Sequence, residues 1–221
     1  MSLSTSNFYK FTLFESLSPD VIEKIEQNHK LQTFKNNQPL FLEGVYPTGV
    51  FCIHSGKVKV FSLGETGKEQ IIRIASEGDV VGFRAIFSEE PFKLSATAIE
   101  KCEISFLKLD FFNELVHSNP LLMQSILKEI SKEVGERAVA IKTMAQKSVK
   151  ERLAVILLVL EDIYKEDMIN LTREDLANFV GTATETTIRL LKDFKDKGYI
   201  EIHGRKIKII DSNGIYRETG Y

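Results

Sequence analysis

A chain of 221 residues with 43% hydrophobic and 27% charged residues has the balance of an ordinary globular protein, with room for one large domain or two smaller ones. Its longest purely apolar run, residues 153–160, falls far short of the roughly 20 residues needed to cross a bilayer. Two cysteines, Cys52 and Cys102, are too few for a disulfide framework, and residues 1–10 show neither the apolar core nor the cleavage site of a secretory signal, so a cytoplasmic protein without membrane contact is expected.

In chain order, Pro19 to Gln27 reads as a short helix with Ser18 as its cap. Residues 31–109 then run as short alternating or apolar stretches broken by glycine: 50–53, 57–61, 70–74 and 104–109. Seven of the 13 glycines fall between Gly44 and Gly82, at the turns between these stretches, and such regular spacing predicts an antiparallel barrel or roll. The period changes at Asn119-Pro120, which reads as an N-cap followed by proline in the first helical turn. Met123, Ile126, Ile130, Val134, Ile141 and Met144 follow at steps of mostly three or four, interrupted by Arg137. An apolar stripe on a helix of about 25 residues needs a partner surface. A second copy of the same helix would make a two-fold, coiled-coil-like dimer, and packing against the roll is the alternative. Ser148 then caps a helix over residues 149–165 that is apolar almost all round, as a buried scaffold helix is.

Residues 171–210 carry the most information. Thr172 followed by Asp175 resembles a capping box opening a short helix with Leu176, Phe179 and Val180 inward; Gly181 supplies a turn. Thr182 and Glu185 form a second such pair, opening a helix to about Lys195 with Ile188, Leu190, Leu191 and Phe194 as buried candidates and Gly198 as its stop. Two short alternating runs then flank His203-Gly204-Arg205-Lys206, a hairpin with a basic tip. Two short helices, a glycine turn and a hairpin make a winged helix-turn-helix. Net charge is only −2, but between Thr186 and Lys208 seven basic residues outnumber three acids, a surface able to attract phosphates or simply to be solvated.

The pattern L-T-x-x-x-L-A-x-x-V-G-x-x-x-E-T-x-x-R-x-L-K-x-x-x-x-x-G-Y-I resembles the DNA-binding domain of the CRP/FNR regulators. FCIHSGKVKVF (residues 51–61) and EGDVVGFRAIF (77–87) resemble parts of that family's effector-binding roll, and Asn119-Pro120 stands where its dimer helix begins. The resemblance spans nearly the whole chain. It implies an α+β protein in three parts: a cyclic-nucleotide-binding-like antiparallel β-roll (1–118), a dimerisation helix and hinge (119–147) and a winged helix-turn-helix (148–221). It implies a homodimeric transcriptional regulator on palindromic double-stranded DNA, with RNA polymerase as a further partner. Glu185 and Arg189, one turn apart, take the family's base-reading positions; a carboxylate accepts from cytosine N4 and a guanidinium forks onto guanine O6 and N7. The bland alternatives are that Glu185 only caps the helix and that Arg189 only pairs with it. Thr184 and Ile188 flank the pair; Ile188 either meets a thymine methyl or packs inward. Thr172, Lys192, Arg205 and Lys206 are candidate phosphate contacts.

The sensor is less legible. Where cyclic-AMP-binding relatives carry Gly-Glu for the ribose and Arg-Ser for the phosphate, this chain has Gly82-Phe83 and Leu94-Ser95, and the adenine-contacting pair on the dimer helix becomes Arg137-Ala138. Arg84 or Lys93 could substitute as a cation, though a surface role suits both better. Tight cyclic-AMP binding is therefore not expected, and two cysteines cannot supply the four ligands of an iron–sulfur cluster. Cys52 with His54 gives too few ligands for structural zinc, and haem on His29, His54 or His117 has no positive support. A pocket of Phe83, Ile86 and Leu94 would suit an apolar effector; an empty roll is the alternative. The effector, the half-site, the target genes and the choice between activation and repression stay open. So does a reading as a nucleotide-type interaction module without specific DNA reading. An enzyme is not expected, for no phosphate loop, metal cluster or nucleophile–base pair is evident.

Overall fold

The structure is a computed structural model that describes residues 8–221; part of the segment searched for a secretory signal, residues 1–7, lies outside the described residues. Ten strands and eight α-helices follow the 3-10 turn Phe8–Lys10. Contacts divide the chain within its longest helix, giving one unit of residues 1–62 and 73–135 and another of 63–72 and 136–221.

Alternation along the strands builds two four-stranded sheets, which belong to the first unit except for residues 63–72. Strands β1 (His29–Phe34), β8 (Cys102–Lys108), β3 (Gly49–Ser55) and β6 (Val80–Val81) form one sheet; β2 (Pro39–Phe41), β7 (Ser95–Ala98), β4 (Val58–Leu63) and β5 (Glu69–Ala75) form the other. Within both sheets β1–β8, β8–β3, β3–β6, β2–β7 and β7–β4 pair antiparallel. Successive side chains of a strand point to opposite faces. On β3, Phe51 and Ile53 enter a core with Val58, Val60, Ala96, Ala98 and Ile104, while Val50 and Cys52 enter a second core. Because both faces of β3 are covered, its sequence reads as a continuous apolar run rather than an alternation. Phe34, Phe41, Phe51 and Phe106 pack in or against the first core, and Phe41 stacks on Phe92 at 4.0 Å between ring centroids. Gly56 turns β3 into β4 with φ +85°; a Cβ there would lie 2.6 Å from both the Cys102 Sγ and the Lys101 carbonyl, so the turn demands glycine.

The second core joins Val50, Cys52 and Leu107 to Phe8, Phe11, Phe14, helix α1 (Pro19–Asn28), Phe83 of helix α2 (Phe83–Ser88) and helix α3 (Leu109–Ser118). Within this layer Ser105 is fully buried. Its Oγ lies 2.7 Å from His29 Nδ1 and 2.6 Å from His54 Nε2, and the rings of Phe8 and Phe11 meet His54 edge-on. His29 and His54 thus share one hydroxyl, and exposed His117 bonds through Nδ1 to the Asn113 carbonyl.

Helix α4 (Pro120–Gln146) starts where Asn119-Pro120 predicts, with the Asn119 carbonyl accepting from the Leu122 and Met123 N–H groups, but the Asn119 side chain serves the preceding helix: its amide donates to the Leu115 carbonyl at 2.7 Å at the end of α3. Nor do the six stripe residues share one environment. Ile126 is 1% exposed and, with Leu122, belongs to the second core, against which Ile130 also packs. Met123, Val134, Ile141 and Met144 stay exposed together with Leu127. The helix therefore has two apolar stripes, and a step of three or four residues cannot separate them.

In the second unit helix α5 (Val149–Tyr164) opens with a full capping box: Ser148 Oγ accepts from the Glu151 N–H and the Glu151 carboxylate accepts from the Ser148 N–H. Leu153, Ala154, Leu157, Leu160 and Tyr164 are buried, but Val159 is exposed, so α5 is one-sided rather than apolar all round. Helices α6 (Arg173–Val180) and α7 (Thr184–Asp196), the hairpin β9 (Ile200–His203) and β10 (Lys206–Ile209), and helix α8 (Ser212–Arg217) complete it.

Burial, then the Lys10 charge and His29, hold the His54 imidazole down to about 4, and burial also lowers His29 from 6.5. Between about pH 4 and 6.5 the unfolded chain therefore binds more protons than the folded one, so stability falls as pH falls through that window. Urea midpoints measured at pH 7 and pH 4.5 should drop at the lower pH, and the drop should shrink in His54→Gln; an unchanged pH slope in that variant would contradict the assignment.

Candidate nucleic-acid interface

Helix α6 begins where Thr172 accepts from the Asp175 N–H at 2.9 Å; the Thr172 hydroxyl also donates to the Asp175 carboxylate at 2.6 Å. It ends at Gly181, whose φ of +73° places it in the left-handed region, with the Gly181 N–H donating to the Ala177 carbonyl. A Cβ on Gly181 would lie 2.5 Å from the Met144 Cε. The predicted second capping box is absent: the N-cap of α7 is Ala183 and no side chain caps it. Glu185 instead occupies the second position of the helix, where a carboxylate favours the helix dipole.

Thr187, Leu191 and Phe194 bury one face of α7. Contrary to the sequence reading, Ile188 is not buried but 50% exposed, and Leu190 is only half-buried. Glu185, Ile188, Arg189 and Lys192 therefore share the outward face, with Thr184 half-buried at its start. Neither Glu185 nor Arg189 makes an ion pair among the described residues, so both bland roles, cap and salt-bridge partner, are vacated.

The basic surface is smaller than its count suggests. Lys197 pairs with Asp193 and Glu218, and Lys150 with the same two acids. Hydrogen bonding from Lys150 holds the Asp193 carboxyl below its usual range, and Glu218 in turn raises the Lys197 ammonium. This network ties the end of α7 to the start of α5, leaving Arg189, Lys192 and Lys195 on α7 and Lys206 and Lys208 on the wing as exposed cations. The wing tip is braced by Arg173, whose guanidinium donates to the Arg205 carbonyl at 2.9 Å, while Arg205 Nε donates to Asn170 Oδ1 at 2.6 Å.

One organising residue escapes the sequence reading altogether. Arg152 of α5 donates to three backbone carbonyls: Val180 at 2.9 Å, Lys147 at 3.0 Å and Gly181 at 3.2 Å. Its partners are main-chain atoms up to 29 residues away, which no local pattern announces.

The candidate effector positions do not converge. Phe83 and Ile86 pack in or against the core that holds Phe8, whereas Leu94 packs against the core between the sheets; the predicted pocket of these three is not formed. Gly82 caps α2, and Ser95 Oγ accepts from the Glu43 N–H at 3.0 Å. Arg84 keeps 37% of its side chain exposed while its Nε lies 3.0 Å from the buried carboxylate of Glu133. Lys93 is a surface charge, pairing with exposed Glu90. Arg137 is half-buried. Among the described residues no group of three or more His, Cys, Asp or Glu is placed to hold a metal, and no helix is long and apolar enough to cross a membrane.

Comparison with known proteins agrees with this geometry. Residues 31–119 match the family described as Cyclic nucleotide-binding domain, and residues 151–217 match the Crp-like helix-turn-helix domain. The chain is 31% identical over 217 residues to the Anaerobic regulatory protein of Haemophilus influenzae, covering 95% of this chain and 83% of that protein. It is 34% identical over 202 residues to Electron transport regulator A of Shewanella oneidensis, covering 87% and 77%. In fold it is similar to FixK2 from Bradyrhizobium japonicum, with a TM-score of 0.77, 19% identity and coverage of 86% and 96%. A CRP/FNR-family transcriptional regulator from Thermus thermophilus gives 0.73, 22% identity and coverage of 87% and 99%. A cyclic-nucleotide-binding-type roll, a long helix and a Crp-like helix-turn-helix, matched in order along the chain, place this protein in the CRP/FNR family of DNA-binding transcriptional regulators, which are not enzymes.

Proposed function

We propose that this regulator binds a two-fold-symmetric duplex as a homodimer and reads each half-site with the outward face of α7. The observation that carries the reading is the exposure of Glu185 and Arg189 one turn apart, each without an ion-pair partner among the described residues. Glu185 accepts from cytosine N4, Arg189 forks onto guanine, and Thr184 and Ile188 flank them. Lys192 and Lys206, with Thr172 and Arg205 beside them, hold the phosphates and set the register without specifying sequence. Leu127, Val134 and Ile141 recur at seven-residue steps on α4, with Met123 and Met144 on the alternate positions. Leu127 is 64% and Ile141 70% exposed, a seam suited to a second copy of the helix. Ile126 faces the roll and Ile130 packs against its core, so neither belongs fully to that seam.

In this reading the roll (1–118) and the winged helix (148–221) are linked by α4 and its junction at residues 146–148, the protein acts in the cytoplasm, and RNA polymerase is its partner at promoters. The effector, if the roll takes one, is not cyclic AMP: Phe83 is buried, and neither Phe83 nor Leu94 offers a polar contact to ribose or phosphate. An effector would act by resetting the 146–148 junction and so the spacing of the two α7 helices.

Selection of bound duplexes from a random pool, at two salt concentrations and without added ligand, tests the reading. It should enrich a palindrome whose half-sites lie about one helical turn apart and contain a G·C pair. Glu185→Ala and Arg189→Ala should each cost about 1–3 kcal/mol on that site. Salt-sensitive binding with no enriched motif, even with cell metabolites added, would favour the interaction module without specific DNA reading.

Ile188 permits a sharper measurement. Replacing thymine by uracil in the selected half-site removes one methyl group, worth about 0.8 kcal/mol or roughly fourfold in affinity. Wild type should lose that factor at one position per half-site, and Ile188→Ala should lose nothing there. Indifference of the wild type at every thymine would remove Ile188 from the base-reading set.

A further inference from the structure

The wing is tied to the segment that leads into α6. The Ile169 and Ile207 backbones exchange two N–H to carbonyl bonds, both 2.9 Å, so the chain just before α6 lies beside β10. Arg173, the first residue of α6, donates to the Arg205 carbonyl at 2.9 Å and so holds the main chain of the tip. A further tie joins two side chains: Arg205 Nε donates to Asn170 Oδ1 at 2.6 Å. A guanidinium carries donors only, so the amide oxygen is the atom of the Asn170 side chain able to receive it. Arg205 is exposed and Asn170 half-buried. Nε is the only guanidinium donor of Arg205 engaged among the described residues, which leaves the end-on pair, Nη1 and Nη2, open. Such a pair of N–H groups matches two oxygens of a phosphate. The partner that holds the guanidinium is neutral, so its charge is not cancelled.

We propose that Asn170 is a positioning residue for DNA binding, which clamps Arg205 so that Nη1 and Nη2 stand as a ready phosphate fork. The proposal rests on the reading of Arg205 as a phosphate contact given above. Asn170 stands two residues before Thr172, so the clamp draws the cation of the wing toward the start of α6. An unclamped arginine on a hairpin tip samples many rotamers and loses that freedom when it binds. With Nε bonded and the tip main chain held by Arg173, much of that ordering is complete before DNA arrives. Asparagine suits the place better than its acid. Aspartate would bond Nε equally well but neutralise the charge that the phosphate needs, and alanine would keep the charge but leave it free to move. Phosphate contacts position a protein without specifying sequence, so Asn170 acts on affinity for any duplex and not on the choice of half-site.

The test is a set of binding isotherms of the full-length chain on the selected duplex and on an unrelated one, at several salt concentrations. Arg205→Ala should weaken binding and lower the salt slope by about 0.9 for each protomer on the DNA. Asn170→Ala should weaken binding about fivefold for each protomer with the slope kept, because the charge remains. Both duplexes should lose the same factor. In the Arg205→Ala background, Asn170→Ala should cost nothing further. Asn170→Asp keeps the bond and cancels the charge, so it should lower the slope as Arg205→Ala does, and it decides the question if Asn170→Ala does not fold. Wild-type affinity in Asn170→Ala would overturn the clamp while leaving Arg205 a phosphate contact. So would a loss confined to the selected duplex, or an undiminished cost in the Arg205→Ala background. Unchanged affinity and slope in Arg205→Ala itself would overturn the phosphate contact and the clamp together.

Discussion

The presentation of α7 depends on one cation. Helix C-termini leave carbonyls without partners and carry the negative end of the helix dipole. In the second unit two such ends approach one another: the end of α4, through the Lys147 carbonyl, and the end of α6, through those of Val180 and Gly181. The Arg152 guanidinium fills the gap and bonds all three. Lysine, with its single ammonium, could not span them in one plane. Because α7 starts three residues after Gly181, fixing that turn relative to the end of α4 fixes where the reading face begins. The Lys150, Asp193, Lys197 and Glu218 network then secures the far end of α7 to the start of α5. A DNA-reading helix has to be rigid at both ends yet bare along one face, and these two groups of contacts leave Glu185, Ile188 and Arg189 outward.

Helix α4 reconciles two demands on one cylinder. Leu122, Ile126, Ile130 and Glu133 serve the roll, whereas Leu127, Val134 and Ile141 are left to solvent in the single chain. Isolated exposed apolar residues are common, but a row of them at heptad spacing on a long helix suits the second copy proposed above. The Arg137 interruption falls on the same alternate row as Met123, Ile130 and Met144, where in the proposed dimer a polar residue would set register at a cost in stability.

What the sequence makes legible follows from range. Strands, helices and their order are readable because alternation, proline and glycine act locally: Gly56, Gly181 and Ser148 do what their positions imply. The shared outward face of Glu185 and Arg189 is readable because their spacing of four residues is one helical turn. Caps mislead where two candidates compete: Ala183 rather than Thr182 opens α7, and the Asn119 side chain bonds back to α3 although its carbonyl opens α4. Periodicity alone misassigns Ile126 because two stripes on α4 share the same period. The predicted apolar pocket fails since Phe83 and Leu94 face different cores, a fact set by the sheets and not by sequence spacing. The contacts of Arg152 and Arg173 and the Glu133 ion pairs stay hidden because most of their partners lie 28 to 60 residues away and are backbone atoms or charges of ordinary context.

The most direct test of this dependence is the affinity of Arg152→Gln for the selected duplex, set beside its binding to an unrelated duplex at the same salt. If Arg152 fixes the turn that presents α7, specific affinity should fall at least about tenfold while non-specific, salt-dependent binding and helical content persist. Wild-type affinity and specificity in this variant would contradict the claim, because the reading face would then be held without the contact on which its presentation is said to depend.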